Sequence, residues 1–504
     1  MTQTPTLTEP IVYAPPVYEI TEEDKRRQVR IARAWDAYNG NLAPPLDKTP
    51  EGLDPNVMSN RCVGVVDGGV NFLFGKEIEI SAEEGSPASA QAQLDTTWGR
   101  KEKRIPLLQK IAMNGAMAGS PFVRIVPNKK GSVRLVALDP ATVCVQTAPQ
   151  DCETVLLWCI EYCTHQTING KPERVYYREE IARIDPDGNA LQDMPDDDDT
   201  WSIQHWTRVG EKAEWEAAGA PIIWDYPFAP IFGCQNLPNP NDYWGRPDIT
   251  DDIIGMNESL NLTQSCINLV QVLYGQPVLY ANGVGSQVID LHPGHIIGLE
   301  TPDGKISAVT IPSDTANALA FADSIRSDID EQSAVPGVAM GRISAMPRGA
   351  LSGVAIELFF QPLLQKTETK RCLYGELIID VSKAVMTLAK MDGENIDITI
   401  AWQNPLPKDD LQSIQASILL KEIGVSNTTI QRNEGFDPEE ELRLSQSEDE
   451  QQLIASTRGQ GLPPAQQGVA PFPGQPPAVV PGQPQPAQQP QYLGMANSGQ
   501  GGQQ

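Results

Sequence analysis

The sequence predicts an α+β protein built from several domains, and three observations predict it. The first half alternates helical and strand-like patterns as far as about Pro240, two long helical patterns then flank a short glycine-punctuated β insert, and a glycine-rich loop leads into a third long helix. A length of 504 residues is enough for about three domains and a sizeable buried core.

The elements follow in order. Residues 1–20, with Pro5, Pro10, Pro15 and Pro16, read as an extended arm. Helix is expected from Thr21, because Glu22, Glu23 and Asp24 suit the positive end of a helix dipole. Residues 121–126 and 132–138 are β-rich runs joined by Pro127-Asn128-Lys129-Lys130-Gly131, the pattern of a hairpin. Further strands are expected at 154–162 and 174–177, and Asp193 to Asp199 form an acidic loop. A long helix is predicted to open at Pro247-Asp248-Ile249 and run to about Tyr274, with Asp248, Asp251 and Asp252 in its first turn. Its apolar residues make two stripes: Ile249, Ile253, Met256, Leu260, Ile267 and Val270, and separately Ile254, Leu262, Cys266, Leu269 and Leu273. A helix apolar on two sides has to be packed from two sides.

The insert at 277–312 is turned by Gly283, Gly285, Gly294, Gly298 and Gly304, and a second helix follows from about Ser313, its expected cap, to Ser333. Residues 335–353 contain Pro336, Gly337, Gly341, Pro347, Gly349 and Gly353, and so read as a loop. A third helix is predicted over 354–390 with a kink at Pro362, then a strand at 396–402 and an acidic helical region at 408–450. Residues 451–504 carry Arg458 as their only charge among Gln, Pro and Gly, a composition that cannot offset chain entropy by burial and predicts a disordered tail.

The charge excludes some function classes. Lysine and arginine total 38 against 65 acids, a formal net charge of −27, which is wrong for a protein that coats the phosphate backbone. No run approaches the ~18 apolar residues of a membrane span, and residues 1–10 lack the order of a secretory signal, so a cytosolic, non-membrane protein with reduced cysteines is expected.

Candidate chemistry is sparse. Cys159, Cys163 and His165 are conceivable metal ligands, but their spacing fits no common zinc site, and packing explains them better. The aspartates 196–199 lack the spaced ligands of a calcium loop. Neither a G-x-S-x-G elbow nor a G-x-x-x-x-G-K-[ST] phosphate loop is present, and four histidines offer little general-base capacity. Trp201, Trp206, Trp215 and Trp224 are expected to pack beneath hairpins rather than stack nucleobases. More informative is the window between Glu331 and Glu357, which contains no acid and carries Arg342 and Arg348 within the glycine-rich loop.

Several runs taken in order resemble the portal proteins of tailed bacteriophages, in particular the group resembling that of a Bacillus phage with a siphovirus tail. They are Trp35-Asp36-Ala37-Tyr38-Asn39-Gly40, Asn60-Arg61-Cys62-Val63-Gly64-Val65-Val66-Asp67 continuing to Phe72-Leu73-Phe74-Gly75-Lys76, Ala137-Leu138-Asp139-Pro140, Trp244-Gly245-Arg246-Pro247-Asp248-Ile249 and Ser352-Gly353-Val354-Ala355-Ile356. The resemblance implies a wing at 21–246, stem helices at 247–276 and 313–334, a small α/β clip at 277–312, a tunnel loop at 335–353, a kinked helix and wing strand at 354–407, and a helical crown at 408–450. The tail at 451–504 departs from the family pattern in being longer and less polar.

The same resemblance implies a non-enzymatic structural protein without cofactors. Its copies form a ring, twelve in the virion, at one capsid vertex, and double-stranded DNA is packaged and ejected through the channel. Expected partners are the terminase large subunit, the head-tail adaptor, and the major capsid and scaffolding proteins, with assembly in the host cytoplasm. Arg342 and Arg348 are the expected DNA contacts of the tunnel loop, and Asn282, Gln287, His292 and His295 the expected docking residues of the clip. Two other classes stay open at this point: a metal-dependent enzyme, and a minor capsid or scaffold-interaction protein that never forms a ring.

Overall fold

The computed structural model describes residues 18–49, 52–83, 86–127, 133–168, 170–196, 199–275, 279–282, 305–308, 315–342, 353–393 and 395–406, with single residues at 421, 426, 428 and 443. Residues 1–416 form one compact unit and residues 417–504 a second. The expected crown falls almost entirely, and the tail entirely, outside the described residues.

The first helix, α1 (Glu22–Asn39), starts where the acidic triplet predicts, because Thr21 and Asp24 cap each other: Thr21 Oγ1 accepts from the Asp24 N–H at 3.1 Å, and Asp24 Oδ2 accepts from the Thr21 N–H at 3.1 Å. There follow α2 (Arg61–Phe74), β1 (Ile78–Ala82), α3 (Ala88–Trp98) and α4 (Lys101–Ala118). The expected hairpin is β2 (Phe122–Pro127) paired with β3 (Val133–Leu138), antiparallel from Phe122↔Leu138 to Pro127↔Val133, so Pro127 belongs to the strand rather than the turn. A third strand, from Ile231 to Gly233, pairs antiparallel with the other edge of β2.

A larger antiparallel sheet comes next, from β4 (Val143–Ala148), β5 (Asp151–Ile168), β6 (Lys171–Ile184), β7 (Thr200–Val209), β8 (Glu216–Ala217) and β9 (Ile222–Trp224), the last two both on β7. Strands β5 and β6 run well beyond the predicted 154–162 and 174–177. Their outer halves are exposed, so polar residues there break the apolar alternation while the ladder continues from Tyr162↔Tyr177 to Ile168↔Lys171. Trp201 and Trp206 are buried in this sheet as expected. Trp215 instead lies beside two guanidiniums, those of Arg178 at 4.6 Å and Arg208 at 4.4 Å.

Strand β10 (Ile231–Gly233) closes the smaller sheet and leads to α5 (Asp251–Gly275), β11 (Leu279–Asn282), β12 (Lys305–Ala308), α6 (Thr315–Ser333), α7 (Gly353–Leu388) and β13 (Ile398–Trp402). Strands β11 and β12 pair antiparallel, and β13 returns to pair with β1. Pro362 lies inside α7, where it removes the hydrogen bond to the carbonyl of Leu358. The main core joins α1, α2 and α4 to α5, α6 and α7 around Phe74, Ile111, Ile249, Leu260, Ile329, Leu363 and Tyr374.

Helix α5 differs from its prediction at both the start and the faces. It begins at Asp251, not at Pro247, because Asp248 is drawn away: its N–H donates to the Ala116 carbonyl at 2.8 Å and its carboxylate turns inward. Thr250 then caps the helix, accepting weakly from the Ile253 N–H at 3.4 Å. Ile249, Ile253, Ile254 and Leu260 are buried in this chain's own core, so Ile254 leaves the stripe assigned to it, whereas Leu262 and Cys266 are exposed.

A third face of α5 is polar and buried. Asn257, Asn261 and Ser265 accept from the backbone N–H groups of Arg61, Ser59 and Val57 at 2.8, 2.8 and 2.9 Å, and Asn268 Nδ2 donates to the Pro55 carbonyl at 2.9 Å. The match is geometric: four residues of helix rise ~6.0 Å, and two residues of extended chain ~6.6 Å. Every second amide of the strap before α2 therefore meets every fourth residue of α5.

Candidate functional site

The end of α6 is where these elements converge, and two charge clusters flank it. In the first, the Asp248 carboxylate is wholly buried with Lys366 Nζ at 2.8 Å and Lys370 Nζ at 2.5 Å. Lysines four apart on α7 share one face of that helix, and this one points at the start of α5. Burial pushes the Asp248 carboxyl up, but the two ammonium groups, Lys366 foremost, overcome it and hold the acid well below the usual carboxylate range. Burial in turn lowers Lys370, with Asp248 opposing. Lys366 also donates to the carbonyl of Ser333, the last residue of α6, at 2.8 Å, a cation placed on the negative end of the helix.

The second cluster is Asp330. Its two oxygens take Arg61 Nη2 at 2.9 Å and Arg342 Nη2 at 2.7 Å, so the first residue of α2 and the segment after α6 are tied to one carboxylate. Each cluster holds two cations and one anion.

The chain leaves α6 by a sharp exit. Ala334 takes φ +56° and its N–H donates to Glu331 O at 3.2 Å, while the Val335 N–H donates to Ser333 Oγ at 3.3 Å. Residues 336–342, within the described part of the expected loop, then make a compact turn. Arg342 N–H donates to Gly337 O at 2.8 Å and Gly341 N–H to Val338 O at 3.0 Å, with Gly341 at φ +82°, the paired bonds of a Schellman motif.

This turn is seated on α2. Val335 is fully buried, and Met340 packs over Gly64, where a β-carbon would stand 2.7 Å from the Met340 sulfur. Gly68 is similar: a β-carbon there would come within 2.9 Å of Val335. Gly337 leaves room above the ion pair, since a β-carbon on it would meet Asp330 Oδ2 at 2.6 Å. Gly64 and Gly68 are thus a socket for the residues that follow α6.

The run Trp244-Gly245-Arg246-Pro247 brings α5 to this place. Gly245 N–H donates to Ser120 Oγ at 3.0 Å, Asn236 N–H to Gly119 O at 2.7 Å, and Trp244 carries the Arg27 guanidinium 3.6 Å from its ring centre. Arg27, buried on α1, also donates to the carbonyls of Val143 and Pro140 at 2.7 and 3.2 Å.

Of the residues singled out in sequence, Arg342 lies in the junction with its side chain 24 % exposed and paired. Arg348, Gln287, His292 and His295 lie outside the described residues. Asn282 ends β11, in register with Lys305. Asp248, Lys366, Lys370, Asp330 and Arg61 carried no signal read as functional, although two lysines at i and i+4 inside an apolar helix mark a buried anion in retrospect.

The candidate metal group does not come together. Cys159 is buried in β5 opposite Cys144 of β4, and Cys163 is exposed four residues further along the same strand, a separation of ~13 Å. Burial pushes the Cys159 thiol well above its ordinary value, the opposite of what a thiolate ligand needs. Among the described residues no three His, Cys, Asp or Glu side chains converge on one point.

A family model described as "Phage portal protein, SPP1 Gp6-like" matches residues 19–454. The chain belongs to this family of phage portal proteins. It is therefore a portal protein of the DNA-packaging kind, with the α+β portal fold and a structural rather than enzymatic family role. No curated protein matches the chain. Among solved structures it is similar to a chain of "Virion of native gene transfer agent (GTA) particle", at 12 % identity and a TM-score of 0.40, covering 82 % of this chain and 94 % of the other.

Proposed function

We propose that this portal chain closes into a ring of twelve copies at one vertex of the capsid, through which double-stranded DNA is packaged and ejected. The observation that carries the ring is the set of large apolar side chains left exposed on α5 and α6. Ile253, Ile254, Leu260, Ile325 and Ile329 are buried within the chain, whereas Leu262, Leu319 and Phe321 stand 44, 50 and 60 % exposed and Cys266 lies on the same helix as Leu262. Large apolar side chains exposed on two helices that pack on each other fit burial against neighbouring copies.

In this reading α5 and α6 are the stem, residues 335–353 the tunnel loop, and the wing and crown meet the capsid shell and scaffold. The clip at 277–312, with Asn282, Gln287, His292 and His295, docks the terminase large subunit and later the head-tail adaptor. An acidic channel wall repels phosphates and so lets a duplex slide, while Arg342 and Arg348 make brief contacts from the loop. Assembly takes place in the host cytoplasm, and the finished ring stays in the virion.

Solution mass followed by negative-stain imaging tests this. Twelve copies of a 54.9 kDa chain make a particle of about 0.66 MDa with a central hole. A monomer or dimer at high concentration contradicts the proposal. Phe321→Glu is expected to shift the assembly toward smaller species, and a ring unaffected by that change would remove α6 from the interface.

A further inference from the structure

We infer that Asp330 is a latch for the root of the tunnel loop, and that DNA phosphates compete with Asp330 for Arg342 while Arg61 stays behind to neutralise the carboxylate. The inference rests on the portal reading above and names a positioning residue for it.

Two independent features of the junction carry it. The first is the sharing of one carboxylate by two arginines. Withdrawing the partner of a buried acid normally leaves an uncompensated charge, which is what makes such pairs hard to open. Asp330 escapes that penalty, because its other oxygen still holds Arg61 Nη2 at 2.9 Å when Arg342 leaves. Arg61 cannot leave as readily. It begins α2, and its N–H is bound to Asn257 on α5 at 2.8 Å, so its backbone is pinned between two helices.

The second feature is the graded seating of the segment. Val335, at the near end, is fully buried beside Gly68, Met340 is partly buried over Gly64, and Arg342, at the far end, has its side chain 24 % exposed. Arg342 is thus the outermost hold of a turn whose inner end is anchored. A phosphate offers a guanidinium the same two-oxygen acceptor as a carboxylate, so the exchange replaces one charge-assisted pair by another. Asp248 shows what a closed version looks like: its side chain is 0 % exposed and Lys370 beside it 3 %.

The test is amide hydrogen exchange of residues 335–342 in the assembled full-length protein, with and without a 30-base-pair duplex, in wild type, Arg61→Gln and Asp330→Asn. The N–H groups of Ala339, Met340, Gly341 and Arg342 are all hydrogen-bonded in the closed turn and report its opening. The latch predicts that duplex speeds their exchange several-fold in wild type. Asp330→Asn should give that faster exchange without DNA and no further response. Arg61→Gln should keep the slow exchange and lose the response, because Arg342 is then the only counter-charge of Asp330; a merely structural role predicts that Arg61→Gln loosens the turn instead. Unchanged exchange in a wild-type ring that co-sediments with duplex overturns the latch and leaves the portal reading standing. A protein that forms no ring overturns both.

Discussion

Asp248 and Asp330 are built to the same formula, one carboxylate between two cations beside the last turn of α6, and they differ in how far water reaches them. Asp248 is sealed among α5, α7 and the end of α6, and its partners are two lysines on a single rigid helix. Asp330 lies on α6 itself, and its partners come from separate segments, one helical and one a turn. The comparison teaches that burial, not charge count, decides whether such a cluster is a rivet or a latch. No incoming anion can reach the partners of a sealed acid, whereas a rim acid can hand one of its two cations to an anion from solution and keep the other.

The largest effect is expected from breaking the rivet. Asp248→Asn leaves two lysine ammonium groups buried without a counter-charge and should cost about 3–5 kcal/mol, read as a large fall in thermal midpoint. Lys370→Met at the same site leaves a balanced Lys366–Asp248 pair and should cost far less. Equal losses in the two variants would show that the cluster does not work by charge balance.

The pH dependence follows from the same acid. The folded-state value of Asp248 is depressed, so its contribution is complete above the unfolded value of about 3.9 and is lost as pH falls through the lower folded value. Wild-type protein should therefore lose stability more steeply below about pH 4 than a Lys366→Met/Lys370→Met double variant. A parallel acid limb in the two proteins would contradict the assignment.

Breaking the latch should matter less to stability. Asp330→Asn is expected to lower it by about 1–2 kcal/mol, since Arg61 and Arg342 keep some solvent contact. The smallest effect is a gain: Ala334 sits at φ +56°, and Ala334→Gly should stabilise by a few tenths of a kcal/mol, about what remains after the added freedom of the unfolded chain. A loss instead would mean that the α6 exit relies on the alanine methyl.

Much of the scaffold was legible because its signals are local. Thr21 followed by three acids marks the start of α1, two β-rich runs about a lysine-glycine turn mark β2 and β3, and apolar periodicity marks α5, α6 and α7. What stayed hidden depends on distant partners. Asp248 reads as a first-turn acid until Lys366 and Lys370, more than a hundred residues away, are placed beside it. Asn257, Asn261 and Ser265 look like a solvated face until the strap at 55–61 covers them. Arg342 was legible as an isolated cation in an acid-free window, but nothing local tells that Asp330 and a glycine socket on α2 receive it.

The contrast is tested most directly by salt. Amide exchange of residues 335–342 and of residues 249–255 at the start of α5 should be followed in the assembled protein between low and high ionic strength. The account predicts that exchange in the first segment speeds up as salt screens the partly exposed Arg342–Asp330 pair, while the second, held by the sealed Asp248, stays unchanged. Equal responses in both segments would contradict the division into a latch and a rivet.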